Sequence, residues 1–380
     1  MIRERLVAAG GWLSFEQFME LALYAPGFGY YSAGSVKIGA GGDFVTAPEV
    51  SDLFSRCVAR QCAEVLAETR GEILELGAGT GRMAATVLQS LATLGVLPDR
   101  YTILEVSADL ADRQRTRIQQ LPAELRDRVV WLDRLPETPI RGVVLANEVL
   151  DALPFKRFAV YDGSVRELGV GLQGDSFAWR EKPSGSPADA SEPQHGASDA
   201  LVAAGNALIT ELPFALPDGY MSEICLRVEP WITSVSQCLD QGVLLLFDYG
   251  LPRTHYYHPQ RIDGTLRCYF KQRAHDDPFT NIAVQDITAW VDFTRVGEAA
   301  LKADLEVAGF ATQAAFLLGT GIEALTAEAT DVADRARLAG EARRLLLPGE
   351  MGESFKVMAL CRNLQRPLRG FAHQDLRTSL

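Results

Sequence analysis

Two clusters in the 380-residue chain have the residue types and spacing that chemistry needs. The first is EILELGAGTGR, Glu72 to Arg82, in which Gly77, Gly79 and Gly81 alternate with small residues and Glu75 precedes the first glycine. Glycine tolerates positive φ and, having no Cβ, lets a ligand come close to the backbone. The free N–H groups at the start of a following helix favour a carboxylate, a phosphate or a hydroxyl. The acid beside the turn suits an ammonium group. The second cluster is NEVLDALPF, where Asn147, Glu148 and Asp151 follow an apolar run. Two acids at a strand end can hold a cationic group, or they can cap the next turn, with Asp151 as a helix N-cap.

These residues need a sheet to bring them together. Ile73–Leu76, Tyr101–Val106, Arg128–Leu132 and Gly142–Glu148 read as strands, with helices over about 82–94 and 109–120 between them. Such alternation gives a parallel sheet built from right-handed crossovers, whose ligand sits outside the carboxyl ends of the strands. The pattern breaks over 156–222, which has β-hairpin character and contains a Pro-, Ser- and Gly-rich flexible loop near 183–200. It resumes with a helix over 222–239, a strand Gly242–Gly250 and an irregular segment 251–294. A helix over 295–308, the strand-like ATQAAFLL, a helical stretch 321–347 and a strand Ser354–Arg362 complete it. Seven strands result, the last two an antiparallel pair at one edge.

Upstream, residues 14–24 read as an amphipathic helix that Ser14 caps, with Gln17 completing a capping box. The segment Pro26–Phe44, with Tyr30 and Tyr31, is either a set of packing anchors or part of a lid, and a helix runs from about Pro48 to Ala67. The expected organisation is therefore a helical lid region over 1–70, a core over 71–155 and 223–363, an insertion over 156–222 and a tail over 364–380.

Spacing narrows the ligand of the glycine turn. A dinucleotide site wants G-x-G-x-x-G, and Arg82 stands where the third glycine would be. E-x-G-x-G-x-G, with Glu75 as its acid, is the pattern associated with S-adenosyl-L-methionine, whose methionine end carries an ammonium and a carboxylate. Glu105 ends the second strand, where a carboxylate can chelate two ribose hydroxyls of either cofactor. Asp133, past the third strand, can accept from an adenine amino group or is an exposed loop aspartate. A dinucleotide or a purely structural turn remains the alternative.

Composition sets limits. A net charge of −12 argues against a general nucleic-acid binder, whose footprint is basic, and suits a partner with a basic group. The six cysteines lack CxxC spacing and the five histidines do not cluster, so buried thiols are expected and no metal site. The N-terminus reads as neither a signal peptide nor a membrane span, which leads to the expectation of a soluble, cytoplasmic protein with no membrane insertion.

Nine stretches carry a wider resemblance: FMELALYAPGFGYY, GDFVTAPEVSDLF, ILELGAGTGRMA, YTILEVSADL, NEVLDALPFKRF, LLLFDYG, GTLRCYFKQRAHDDPF, QDITAWVDFT and GEMGESFKVMAL. In these, spread from residue 18 to 360, the chain resembles the MidA family of class I, S-adenosyl-L-methionine-dependent methyltransferases. The stretch 184–200 is poorer in family pattern. The resemblance implies an α/β, Rossmann-like fold with a seven-stranded, mostly parallel sheet, an N-terminal helical layer and an inserted substrate-binding region. It also implies methylation of a protein arginine, and the family's mitochondrial members are complex I assembly factors. In those members the target is a subunit of the hydrophilic arm.

An arginine nucleophile makes the acids after the fourth strand meaningful. Paired carboxylates grip the guanidinium fork and polarise its charge away from the attacking nitrogen. Glu148 and Asp151 are the expected pair, and Asn147 orients the target or contacts the methionine end of the cofactor. Asp248 and Tyr249 either line the acceptor pocket or make a turn. His275, Asp276 and Asp277 either position the substrate or belong to a hydrogen-bonded loop. Thr46 and Glu49 are expected to close over the cofactor. A small-molecule methyltransferase and a non-catalytic assembly factor are the competing functional readings.

Overall fold

Apolar, β-branched runs build the central sheet in the computed structural model, which describes residues 1–32, 45–183 and 197–380. Its strands are β1 (Glu72–Leu76), β2 (Tyr101–Leu104), β3 (Val129–Leu132), β4 (Ile140–Asn147), β5 (Leu239–Leu251), β6 (Glu306–Thr312) and β7 (Phe355–Arg362). They lie in the order β6-β7-β5-β4-β1-β2-β3. The pairings from β5 through β3 are parallel, while β7 runs antiparallel to both β5 and β6. A two-residue strand, Val291–Asp292, pairs with the end of β5. The mostly parallel α/β fold is thus as expected, with β7 inserted between β5 and β6.

Strand order reverses between β1 and β4, because β2 and β3 continue to one side of β1 while β4 starts the other. Such a switch opens a crevice at the carboxyl ends of the two strands. Helices Asp52–Thr69 and Arg82–Thr93 bury Phe54, Cys57, Val58, Cys62, Val87 and Leu88 in one apolar core with Val143, Leu145 and Phe247. Each Val, Leu or Phe side chain among them contributes about 1.5–3 kcal/mol when removed from water.

The chain divides into two compact units. One comprises Val36–Leu150, Glu229–Leu251 and Val291–Leu380 and holds this sheet. The other comprises Met1–Ser35, Asp151–Val228 and Pro252–Trp290. These boundaries differ from the expected ones, since the first 70 residues are shared between the units. Side-chain packing explains the split. Phe15 packs its ring on Phe155 (5.3 Å) and Trp179 (4.7 Å), whereas Phe54 packs on Phe247 (5.3 Å).

In the second unit, strands Leu13–Ser14, Ser164–Gln173, Lys156–Tyr161 and Met221–Ile224 form an antiparallel sheet, and Ser176–Glu181 pairs with Ser164–Gln173. Helix Phe15–Tyr24 carries the anticipated capping box: Ser14 Oγ accepts from the Gln17 amide (3.2 Å) and the Ser14 amide donates to Gln17 Oε1 (3.1 Å). A smaller antiparallel sheet joins Arg273–His275, Arg267–Phe270 and Asp286–Thr288.

Four local expectations are corrected. The helix expected over 222–239 is a strand, Met221–Ile224, followed by a shorter helix, Val228–Ser236, and β5 already begins at Leu239. ATQAAFLL is the end of β6 followed by helix Gln313–Gly319, which Thr312 caps by accepting from the Ala315 amide at 3.2 Å. The stretch 321–347 is two helices, Ile322–Thr326 and Val332–Leu346. Residues 47–69 break at Ser51, whose hydroxyl caps the second helix. The expected loop near 183–200 and the glycine-rich part of Pro26–Phe44 fall largely outside the described residues. Among the described residues no helix is long and apolar enough to cross a membrane.

Candidate functional site

All three glycines of the turn after β1 adopt positive φ: Gly77 at 68°, Gly79 at 52° and Gly81 at 77°. A side chain at any of them would strain the backbone. A Cβ on Gly77 would also approach Val149 to 3.6 Å, so the turn after β1 lies beside the one after β4. Gly81 forms the N-cap of helix Arg82–Thr93, whose free N–H groups face the turn's end of the helix. The short helix Ala47–Val50 buttresses this turn. Thr80 donates its hydroxyl proton to the Glu49 carboxylate, and the Arg82 guanidinium donates to the Glu49 carbonyl (2.8 Å) and to Asp52 Oδ1 (2.9 Å). Thr46, buried at the start of that helix, makes no side-chain cap.

Glu75 is 1% exposed and accepts from the Tyr101 hydroxyl at 2.6 Å. Burial pushes its carboxyl up to about 7, the Tyr101 hydrogen bond opposes the rise, and the charge of Glu105 adds to it. Glu105 ends just past β2, half-buried, with Oε1 accepting from the Ser107 amide (2.9 Å) and Oε2 from the Gln114 side-chain amide (2.8 Å). Asp133 is exposed past β3. Glycine turn, Glu105 and Asp133 therefore stand in strand order at one edge of the sheet. Gln114, which no motif singles out, also donates to the Gly79 carbonyl (3.0 Å) and accepts from Trp131 Nε1 (3.0 Å).

At the end of β4 the Asn147 side-chain amide donates to Glu148 Oε1 (3.3 Å), while Asn147 Oδ1 is buried without a hydrogen-bond partner among the described residues. Glu148 takes φ = 53°, a left-handed conformation uncommon for a residue other than glycine. Two bonds from β5 hold the turn: the Glu148 amide donates to the Phe247 carbonyl (2.8 Å) and the Leu150 amide to Asp248 Oδ2 (3.0 Å). Asp248 is 1% exposed and also receives the Tyr249 amide on Oδ1 (3.0 Å). Both of its carboxylate oxygens thus accept a backbone amide at the turn. Tyr249 is half-buried with its ring edge-on to Phe355 at 5.2 Å.

Asp151 is buried and is the first residue of a stretch belonging to the other unit, where no helix follows it to be capped. There the Tyr24 and Tyr31 hydroxyls are both pushed up, chiefly by burial and then by the charges of Asp286 and Asp151. Tyr31 donates to Asp286 Oδ1 (2.9 Å) and its ring stacks on that of Tyr24 at 5.4 Å. In the same unit His275 Nδ1 accepts from the Asp277 amide (3.3 Å), Asp277 accepts from the Phe279 amide (2.9 Å) and the Thr280 hydroxyl (2.6 Å), and Asp276 is exposed.

Residues 57–311 match the family of S-adenosyl-L-methionine-dependent methyltransferases. A crystal structure of a methyl transferase candidate from Burkholderia thailandensis, bound to S-adenosyl-homocysteine, shares 38% identity and superposes with a TM-score of 0.89 over 100% of this chain and 95% of that one. Among curated relatives, the mitochondrial protein arginine methyltransferase NDUFAF7 of Danio rerio is 26% identical over 93% of this chain and 84% of its own length. The Caenorhabditis elegans homologue is 27% identical over 93% and 84%. With a glycine turn, a sheet edge lined by acids, and a family match and a ligand-bound structure that agree on one cofactor, the chain belongs to the S-adenosyl-L-methionine-dependent methyltransferase family.

Proposed function

We propose that this methyltransferase acts on an arginine guanidinium of a protein, with a hydrophilic-arm subunit of respiratory complex I as the target, in the cytoplasm. The names of the NDUFAF7 relatives support the acceptor class. The observation that carries the reading in this chain is Glu148: an acid held at positive φ at the sheet's switch point, beside a buried side-chain acceptor on Asn147.

S-adenosyl-L-methionine supplies, when bound, an electrophilic methyl group on a sulfonium. The three glycines and Glu75 fit its methionine end, Glu105 its ribose hydroxyls and Asp133 its adenine amino group, while Thr46 closes over it. Asn147 Oδ1 receives an N–H, from the ammonium or from the acceptor. In-line displacement asks the protein for positioning more than for proton transfer. Glu148 grips the guanidinium and draws positive charge away from the attacking nitrogen, and Asp151, the next acid along the chain, provides the second carboxylate. Tyr249, Asp248, His275 and Asp276 are assigned to the acceptor side, with Asp248 acting through the turn it holds.

Labelled S-adenosyl-L-methionine and a lysate test the reading. Label in protein arginines is expected. Label in small molecules favours a small-molecule methyltransferase, and partner capture without label favours a non-catalytic assembly factor. The variant Glu148→Gln is expected to lower transfer at least about 100-fold while S-adenosyl-homocysteine affinity stays within about twofold, the pattern of an interaction made in the transition state. Unchanged turnover removes Glu148 from the mechanism. Mass spectrometry of hydrophilic-arm arginines, with and without the protein, identifies the target.

A further inference from the structure

We infer that Gln114 is a positioning residue of the cofactor site: it locks the Glu105 carboxylate in the orientation that receives two ribose hydroxyls and ties it to the glycine turn. The inference rests on the reading of Glu105 as the ribose acid.

Gln114 lies on helix Ala108–Ile118 and is fully buried. A buried primary amide must place two donors and a carbonyl. Both protons of Nε2 are used, one on the Gly79 carbonyl (3.0 Å) and one on Glu105 Oε2 (2.8 Å), while Oε1 accepts from Trp131 Nε1 (3.0 Å). The network permits only this orientation. Flipping the amide would set its NH2 against the indole N–H, which only donates, and its oxygen against a carbonyl and a carboxylate, which only accept.

A second donor to Glu105 comes from the start of the same helix. Ser107 donates its backbone N–H to Glu105 Oε1 (2.9 Å), and its hydroxyl is the side-chain cap of the helix that carries Gln114. Each oxygen of Glu105 thus receives a donor from this element, Oε1 the Ser107 amide and Oε2 the Gln114 side chain. The two clamping bonds are charge-assisted and hold the acid's plane, which a side chain with three rotatable bonds would otherwise sample widely.

The glycine turn is shaped to the same residue. A Cβ on Gly81 would lie 3.2 Å from Gln114 Cα and Cγ, so the third glycine serves the approach of Gln114 as well as its own positive φ. Arg117, one turn further on, donates to the Thr80 carbonyl at 3.1 Å. Through Gln114 the ends of three neighbouring strands, β1 by Gly79, β2 by Glu105 and β3 by Trp131, are set relative to one another. Trp131 is held in turn by the Arg115 guanidinium, 5.3 Å from its ring centre.

The test is calorimetric titration of the full chain with S-adenosyl-homocysteine and with its 2′,3′-dideoxyribose analogue. The near-isosteric Gln114→Met variant is expected to bind S-adenosyl-homocysteine about 10-fold more weakly, as the loss of a hydrogen bond to a charged group implies. It should bind the dideoxy analogue within about twofold of the parent, because that ligand never used the clamped acid. Equal losses on both ligands, or no loss on either, overturn the inference. Glu105→Gln separates the two layers of the argument. If it keeps the preference for the diol, the ribose role of Glu105 falls and the inference with it. If it loses the preference while Gln114→Met keeps it, the inference alone falls. Should Gln114→Met fail to fold, Gln114→Asn, too short to span Gly79 and Glu105, is read in the same way.

Discussion

A buried acid that stays protonated above its ordinary range leaves a mark on stability, and Glu75 is such a group. Its carboxyl is displaced from the ordinary 4.5 to about 7, chiefly by burial. Between those values the folded chain holds a proton that the unfolded chain has lost. Its contribution is therefore fully present below about pH 4.5 and disappears as pH rises through about 7, a swing of roughly 3 kcal/mol. The ligand-free midpoint of thermal unfolding is expected to fall from pH 5 to pH 7.5, and Glu75→Gln to flatten that fall. A cationic ammonium near Glu75 favours its ionised form, so binding near pH 6 should release a proton, measurable by titration in buffers of different ionisation enthalpy. A binding enthalpy independent of buffer removes the ammonium role of Glu75. The acids Glu75, Glu105 and Glu148 were legible from their places beside strand ends. Gln114 was not, because its meaning lies in partners 35 residues back and 17 ahead.

Helix Phe15–Tyr24 shows how far local chemistry reaches. Its capping box joins Ser14 and Gln17, three residues apart, so both partners are visible in one short stretch. Ser14→Ala should cost about 1 kcal/mol and lower the melting midpoint by roughly 2–4 °C. S-adenosyl-homocysteine affinity should not change, and a midpoint shift of zero would mean that the cap is idle. The strand Met221–Ile224 is the opposite case. Its register partner is Lys156–Tyr161, and its buried Glu223 forms an ion pair with Arg157 at 3.7 Å and accepts from the Thr265 amide at 2.8 Å. Nothing within the segment announces those partners, so its apolar spacing reads as helix. Helix Gln313–Gly319 was misread for a smaller reason: an alanine- and leucine-rich run fits either a buried strand or a helix, and the Thr312 cap decides between them.

The net charge of −12 bears on how the chain meets a partner. An acidic protein attracts a cationic substrate over a distance that salt shortens, from about 10 Å at 0.1 M to about 3 Å at 1 M. Transfer to arginine-bearing acceptors at sub-saturating concentration is expected to slow as salt rises from 50 to 500 mM, while kcat at saturation changes little. A rate indifferent to salt would show that the charge has no part in recruitment.

The glycine pattern, the alternation of strands and helices and the acids after three strands are local properties of the chain, and they were enough to name fold, cofactor and sheet edge. Periodicity and turn chemistry act over a few residues, which is why they can be read in line. The Gln114 clamp, the burial of Asp248 beneath the turn it holds, the insertion of β7 between β5 and β6 and the sharing of the N-terminal helices between two units all depend on remote partners. Such pairings are settled by packing and hydrogen-bond satisfaction in three dimensions.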